Sequence, residues 1–180
     1  VTRTTVLADG IVLRLVATAD AEPLAAAYRR NREHLAPWEP TRDERFFTTA
    51  RHREEIDALL DTYDAGRGLP LVLADGDEIV GRVNVNNIVR GVFQSANLGY
   101  WVDAAYGGRG LATSAVVAVV ELAREDLALH RLEAGTLVHN VRSQRVLERA
   151  GFEVIGVAPR YLKIAGEWQD HRLFQRILHD

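Results

Sequence analysis

The chain has 180 residues, 47% of them hydrophobic and 26% charged, with a formal net charge of −3, a size and balance that suit one domain (1–180) with a substantial core. It has no cysteine, which excludes disulfides, thiolate nucleophiles and zinc–thiolate sites. There is no basic field for nucleic acid, no apolar run of the roughly 20 residues that span a bilayer and no signal-peptide profile, so a cytoplasmic protein that binds neither nucleic acid nor membrane is expected.

In chain order, residues 6–16 read as two short strands around Asp9-Gly10, a pair suited to a type I′ hairpin turn. Asp20-Ala21-Glu22-Pro23 opens a helix, with acidic residues in the first turn and proline where a missing N–H is tolerated. That helix runs through residues 24–32 and stops before Pro37. A second helix is expected over residues 50–63, where Ile56, Leu59, Leu60 and Tyr63 recur at helical spacing. Residues 70–74 and 78–88 form a hairpin across Asp75-Gly76-Asp77. After a loop over residues 89–96, a strand occupies 98–102, and the longest helix follows over 112–127. Residues 131–138 are a strand and 143–150 a short helix closed by Gly151. Residues 154–161 and 171–178 are the last strands, with a hairpin turn at Gly166 between them. A helix joining strands 98–102 and 131–138 makes that pair parallel, so the fold is α/β with a mixed sheet.

Between strand 98–102 and helix 112–127 the chain reads Y-G-G-R-G-L-A-T (residues 106–113). Glycines let a backbone turn tightly and approach a ligand, and the following helix aims its positive end at the same place. Together they make a seat for a phosphate or pyrophosphate. The lysine of a P-loop and the third glycine of a dinucleotide fingerprint are both missing. Alone, the turn reads equally well as a plain connection. Asn140 and Ser143, at the end of the next parallel strand, strengthen the anion-binding reading. Either residue also suits a helix cap, and a hydroxyl that both donates and accepts can serve both roles. No two histidines have metal-ligand spacing, so no metal is expected. No G-x-S-x-G elbow supports a triad of Ser143, His171 and Asp170.

The turn resembles the acyl-coenzyme A pyrophosphate loop of the GNAT acetyltransferases, Gln/Arg-x-x-Gly-x-Gly/Ala. Gly110 and Ala112 fit its last fixed positions, while Gly107 stands where Gln or Arg is usual. That departure removes a side chain but keeps the amide donors. The runs H-L-A-P-W-E-P-T-R-D-E (34–44), V-R-G-V-F (89–93), L-G-Y-W (98–101), H-R-L-E-A (130–134), H-N-V-R-S (139–143), A-G-F-E (150–153) and Y-L-K-I-A-G-E-W-Q-D-H (161–171) are similar to the RimJ branch, the ribosomal-protein alanine N-acetyltransferases. The match is collinear over almost the whole chain.

The resemblance implies one GNAT domain whose two parallel strands splay apart at their C-terminal ends, with the pantetheine arm of acetyl-CoA entering the gap. It implies direct transfer of acetyl to an α-amine, the N-terminal alanine of a ribosomal protein, and a homodimer. Amides of Gly108, Arg109, Gly110, Leu111, Ala112 and Thr113 would face the pyrophosphate, with a phosphate contact from Arg109. Main-chain groups of Tyr100, Trp101 and Val102 would pair with pantetheine. Asn140 would bond its amide, and Ser143, the candidate catalytic residue, would help the thiolate depart. The segment 35–47 would wall the acceptor groove, with Glu39, Asp43 or Glu44 attracting a cation and Tyr161, Trp168 and Asp170 opposite. A rigid surface turn is the competing reading of Pro37-Trp38-Glu39-Pro40.

An α-amino group has a pKa of about 7.7–8.0, so roughly a third of it is neutral at pH 7.5, against ~0.1% for lysine. A weak base or a water chain therefore suffices for an N-terminal acceptor. The acid–base pair of the related RimI branch falls on Gly135 and Leu147, which cannot titrate, and the base stays unassigned. Two other readings stay open: transfer to a small amine (antibiotic, polyamine or amino acid), and a non-catalytic acyl-CoA-binding or ribosome-assembly module. The choice of acetyl over a longer acyl group is open as well.

Overall fold

The computed structural model describes residues 4–179; residues 1–3 and 180 lie outside the described residues. The opening strands β1 (Thr5–Val6) and β2 (Val12–Leu15) flank a turn in which the Ile11 amide bonds the Ala8 carbonyl at 3.3 Å. Its central residues Asp9 and Gly10 both have positive φ, 59° and 76°, as a type I′ turn requires. The first helix is broken: α1 (Ala21–Arg30) ends at Asn31 and a further turn, α2 (Arg32–Leu35), follows. The buried Asn31 side chain explains the break. Its Nδ2 donates back to the Ala27 carbonyl at 2.9 Å and to Asp103 at 2.7 Å, competing with the helical ladder.

Helix α3 (Thr49–Asp64) is capped by the Thr48 hydroxyl. Strands β3 (Leu69–Asp75) and β4 (Glu78–Val89) follow as the expected hairpin. Strand β5 spans Ser95–Val102, three residues earlier than the sequence suggests. Polar Ser95 and Asn97 hide it, and pairing to neighbours on both sides creates it. Helix α4 (Leu111–Glu125), strand β6 (Arg131–Leu137) and helix α5 (Val141–Arg149) come next. The final hairpin, β7 (Glu153–Ile164) and β8 (Glu167–Ile177), is longer at its turn than expected. Ala165 and Gly166, both at positive φ, close it.

These strands form one eight-stranded mixed sheet, ordered β1-β2-β3-β4-β5-β6-β8-β7, in which only β5 and β6 pair in parallel. One core packs α4 and α5 against Leu13, Leu71, Val83, Leu98, Leu132 and Phe174; the other packs α1 and α3 against Val16, Val72, Ala74 and Ile79. Strand alternation divides β5 between them. Leu98, Tyr100 and Val102 join the α4/α5 core, and Trp101 joins the α1/α3 core.

Candidate active site

The register of β5 and β6 opens a gap. Ser95–Leu98 of β5 pair with Arg131–Ala134 of β6, and the pairing stops there. Beyond it, Gly99, Tyr100, Trp101 and Val102 pair only with β4, while Gly135, Thr136 and Leu137 pair only with β8. Two facing stretches of strand edge thus offer main-chain N–H and C=O groups to an extended guest, the pairing mode of β-augmentation. This is the splay expected between the parallel strands.

The glycine turn stands at the mouth of the gap. Gly108 and Gly110 adopt φ 78° and 79°, and a Cβ at either would meet nothing within 4 Å. Gly110 is the N-cap of α4 and supplies no side-chain cap. The amides of Leu111, Ala112 and Thr113 are first-turn groups without an intrahelical acceptor. By contrast α3 and α5 are closed by Thr48 and Asn140. Open space, left-handed glycines and uncapped amides at the positive end of a 15-residue helix fit a diphosphate. Arg109 is exposed, its guanidinium 5.5 Å from the centre of the Tyr106 ring. The Leu111 side chain is buried, leaving its amide as the group it can offer.

Across the gap, Asn140 accepts the Ser143 amide at 3.2 Å, so the capping reading is realised. Its side-chain NH2 is not used by that bond. Helix α5 starts at Val141, two residues before the sequence suggests, and Ser143 lies in its first turn. The Tyr100 hydroxyl lies 2.8 Å from Ser143 Oγ and 3.1 Å from the Ser143 carbonyl. Burial pushes the Tyr100 phenol up to about 12, against the pull of its Ser143 hydrogen bond, so it stays protonated at neutral pH. Sequence reasoning gave Tyr100 only a main-chain role. Its side-chain partner is 43 residues away in the chain, and only the fold joins them.

The opposite face of β5 carries a different arrangement. The Trp101 indole N–H donates to the Tyr28 hydroxyl at 2.9 Å. Arg82, buried on β4, donates to the same hydroxyl at 3.4 Å and to Glu55 of α3 at 2.9 Å. Tyr28 also stacks on His52, with ring centroids 5.0 Å apart. Burial pushes His52 down to about 4, so it is neutral near pH 7.

Beside this network is a cavity of about 320 Å3, lined among others by Tyr28, Leu35, Glu39, Arg42, Phe46 and Ala165. Most of this lining comes from the segment 35–47. From the last hairpin Ala165 joins this lining, while Tyr161 lines a second, smaller cavity with Asn97, Ala134, Gly135 and Leu173. Tyr161 and Trp168 are exposed and Asp170 accepts the Arg160 amide at 2.8 Å. Trp38 packs on His139, just before Asn140, with ring centroids 5.7 Å apart. His171 Nδ1 is 3.0 Å from the Gln169 carbonyl, an arrangement that joins it to neither Ser143 nor Asp170. Among the described residues no group of three or more His, Cys, Asp or Glu forms a metal-binding cluster. No helix of the described residues is long and apolar enough to cross a membrane.

Comparison with known proteins agrees with this geometry. The acetyltransferase (GNAT) domain family model matches residues 11–153. The [ribosomal protein uS5]-alanine N-acetyltransferase of Escherichia coli is 38% identical over 167 residues, covering 92% of this chain and 86% of the relative. The crystal structure of the ribosomal-protein-S5-alanine acetyltransferase of Vibrio fischeri superposes with a TM-score of 0.93 at 33% identity, over 100% of this chain and 98% of that one. RimJ of Mycobacterium smegmatis, solved in complex with CoA-disulfide, gives 0.90 at 31% identity, over 98% and 85%.

Proposed function

Because the chain belongs to the GNAT acetyltransferase family, we propose that it transfers acetyl from acetyl-CoA to the α-amine of a protein N-terminus, an alanine-initiated ribosomal protein. The carrying observation is the unpaired stretch of β5 and β6 with an uncapped glycine turn at its mouth. Acetyl-CoA supplies an activated acyl group whose leaving group is a thiolate. The amides of Gly108, Arg109, Gly110, Leu111, Ala112 and Thr113 hold its diphosphate, and Arg109 adds a charge-assisted contact. Main-chain groups of Tyr100, Trp101 and Val102 pair with the pantetheine arm, and the Asn140 NH2 bonds an amide of it. Ser143 hydrogen-bonds sulfur as it departs. Without cysteine no thiol of this chain can carry the acetyl group, so attack is direct, in a ternary complex, and much of the acceleration comes from positioning. The exposed glycines and half-buried Asn140 and Ser143 leave this seat accessible from solvent.

The α-amine preference is favoured by the relatives, which are alanine N-acetyltransferases of ribosomal proteins. The test pairs binding with turnover. Calorimetry should show acetyl-CoA binding to wild type and to Ser143→Ala with affinities within about tenfold of each other, since one hydrogen bond is worth roughly 0.5–1.5 kcal/mol. On an alanine-initiated peptide, Ser143→Ala should lower kcat by about 10²-fold, the lower end of acid–base contributions. Binding without turnover on any amine would favour the non-catalytic module, and turnover on small amines alone would favour the small-amine reading.

A further inference from the structure

Alternation along β5 puts two chemistries on opposite sides of the gap. Tyr100 points to the α4/α5 face, where it holds Ser143. Trp101 points to the α1/α3 face, where its indole N–H meets Tyr28 beside the 320 Å3 cavity. An acyl group that sets its leaving-group side toward Ser143 would turn its other side toward the Trp101–Tyr28 pair, and Tyr28 lines the cavity. Direct displacement needs a proton acceptor on that other side.

The carboxylates near this end of the sheet can be sorted by what they already do. Asp43 accepts the Phe46 amide at 3.0 Å as a cap. Glu44 forms a forked pair with Arg32 and is exposed. Glu55 is held by Arg82 at 2.9 Å. Asp170 accepts the Arg160 amide. Glu133 stands opposite Asn97, in the closed half of the β5–β6 ladder. Glu39 differs from all of them. It lines the cavity, its side chain is only 20% exposed, and its ion pair with Arg42 is loose at 3.6 Å. Its main-chain carbonyl is pinned by the Ala165 amide at 2.9 Å. Its segment reaches toward both lips of the gap: neighbouring Trp38 packs on His139 just beyond β6, and Glu39 shares the cavity lining with Tyr28, the partner of Trp101 on β5.

We propose that Glu39 is the anchor and general base for the acceptor's α-ammonium group, and that the cavity lined by Tyr28, Glu39, Arg42, Phe46 and Ala165 seats the acceptor's first residue. The proposal rests on the acetyltransferase reading above. An N–H bond of the ammonium breaks, its proton forms an O–H bond on Glu39, and that proton later leaves to solvent. The freed lone pair makes the N–C bond, the C–S pair goes to sulfur, and the second N–H proton ends there.

Burial raises the Glu39 carboxyl, with Arg42 and Arg82 pulling it down and Glu55 pushing it up. The same low-dielectric site lowers the pKa of an amine, so donor and acceptor approach one another, as proton transfer requires. The charged and titratable groups around Glu39 are Arg42 on its own segment, Arg32 of α2 and Tyr28 of α1 in the same cavity lining, and, behind Tyr28, Arg82 of β4 with Glu55 of α3. Tyr28 is pushed up by burial and Arg82 is held charged by Tyr28 and Glu55, so neither titrates between pH 5 and 9.

The test compares wild type with Glu39→Gln and Glu39→Asp, all carried through a thermal melt and an acetyl-CoA titration. With an alanine-initiated peptide, wild-type kcat/KM should fall as pH drops through the Glu39 pKa. Glu39→Gln should lose about 10²-fold at pH 7 and lose that acidic limb, its rate rising instead with free amine through about pH 8. Glu39→Asp should keep the limb at reduced rate. Independently of turnover, wild type without acetyl-CoA should bind the free-amine peptide more tightly than its N-acetylated form by nuclear magnetic resonance titration, and Glu39→Gln should lose that preference. If wild type acetylates the peptide but Glu39→Gln keeps its rate within twofold and its acidic limb, the proposal is overturned and the transferase reading stands. If wild type neither binds acetyl-CoA nor acetylates any amine, both fall.

Discussion

The two faces of β5 are built from different materials. On the α4/α5 side, the proposed seat for a diphosphate and an extended arm is mostly backbone: left-handed glycines, first-turn amides of α4 and unpaired strand edges. On the α1/α3 side, the cavity is mostly side chains, drawn from Tyr28 of α1, from α2 and from the segment 35–47, with Tyr28 locked from behind by Arg82 and Glu55. A backbone site reads a feature common to every acyl-CoA, and it tolerates sequence change wherever φ is preserved. A side-chain site can be respecified residue by residue. The contrast suits a protein that keeps one donor and selects among acceptors.

One buried carboxylate joins the two regions, and removing it should have the largest effect. Asp103, at the end of β5, accepts Arg30 Nε at 2.6 Å, Asn31 at 2.7 Å and the Ala105 amide at 2.9 Å. Asp103→Ala strands Arg30 and Asn31 and should cost about 3 kcal/mol, lowering Tm by roughly 6–12 °C in a melt. It should also weaken acetyl-CoA and acceptor together, because it loosens both faces. Burial works to raise the Asp103 carboxyl, but bonds from Asn31, the Ala105 amide and Arg30 more than offset it and hold it low. Its contribution is therefore present above about pH 3.9, the unfolded value, and is lost as pH falls through the lower folded value.

The next effect should fall on one face only. Gly110→Val places a β-branched residue at φ 79°, a strain of about 1–2 kcal/mol. Acetyl-CoA affinity by calorimetry should drop about tenfold, equivalent to about 1.4 kcal/mol. Affinity for an acceptor peptide should hardly change. Equal losses on both ligands would break the separation drawn here.

The smallest effect tests the serine's support. Tyr100→Phe removes the hydroxyl 2.8 Å from Ser143 Oγ and should lower kcat roughly threefold to tenfold, the worth of one hydrogen bond. The acetyl-CoA dissociation constant should stay put. Since Tyr100 is pushed up to about 12, neither protein should show an activity limb from it below pH 10.

The backbone face was the legible one. The I′ turn at Asp9-Gly10, the glycine turn before α4 and the parallel β5–β6 pair each follow from local rules about φ, periodicity and crossover length. The gap itself was expected from family resemblance, and the register of Ser95–Leu98 against Arg131–Ala134 is what displays it. The side-chain face was nearly silent in the sequence. Tyr28 looks like one more apolar position of α1, Arg82 like a polar interruption of β4, and the break at Asn31 needs Asp103, 72 residues on, to explain it. Glu39 was one of three candidate acids. Its place in the cavity lining and its burial set it apart from Asp43, a cap, and Glu44, an exposed ion pair.

The central claim is that acetyl passes through the gap between β5 and β6 to an α-amine arriving from the Glu39 face. Mass spectrometry of an alanine-initiated ribosomal-protein peptide incubated with acetyl-CoA and wild-type protein or Glu39→Gln tests it most directly. The account predicts acetyl on the α-nitrogen and not on internal lysines, formed about 10²-fold more slowly by Glu39→Gln at pH 7. Acetyl on lysine side chains alone, or none from wild type under conditions where acetyl-CoA binds, would contradict it.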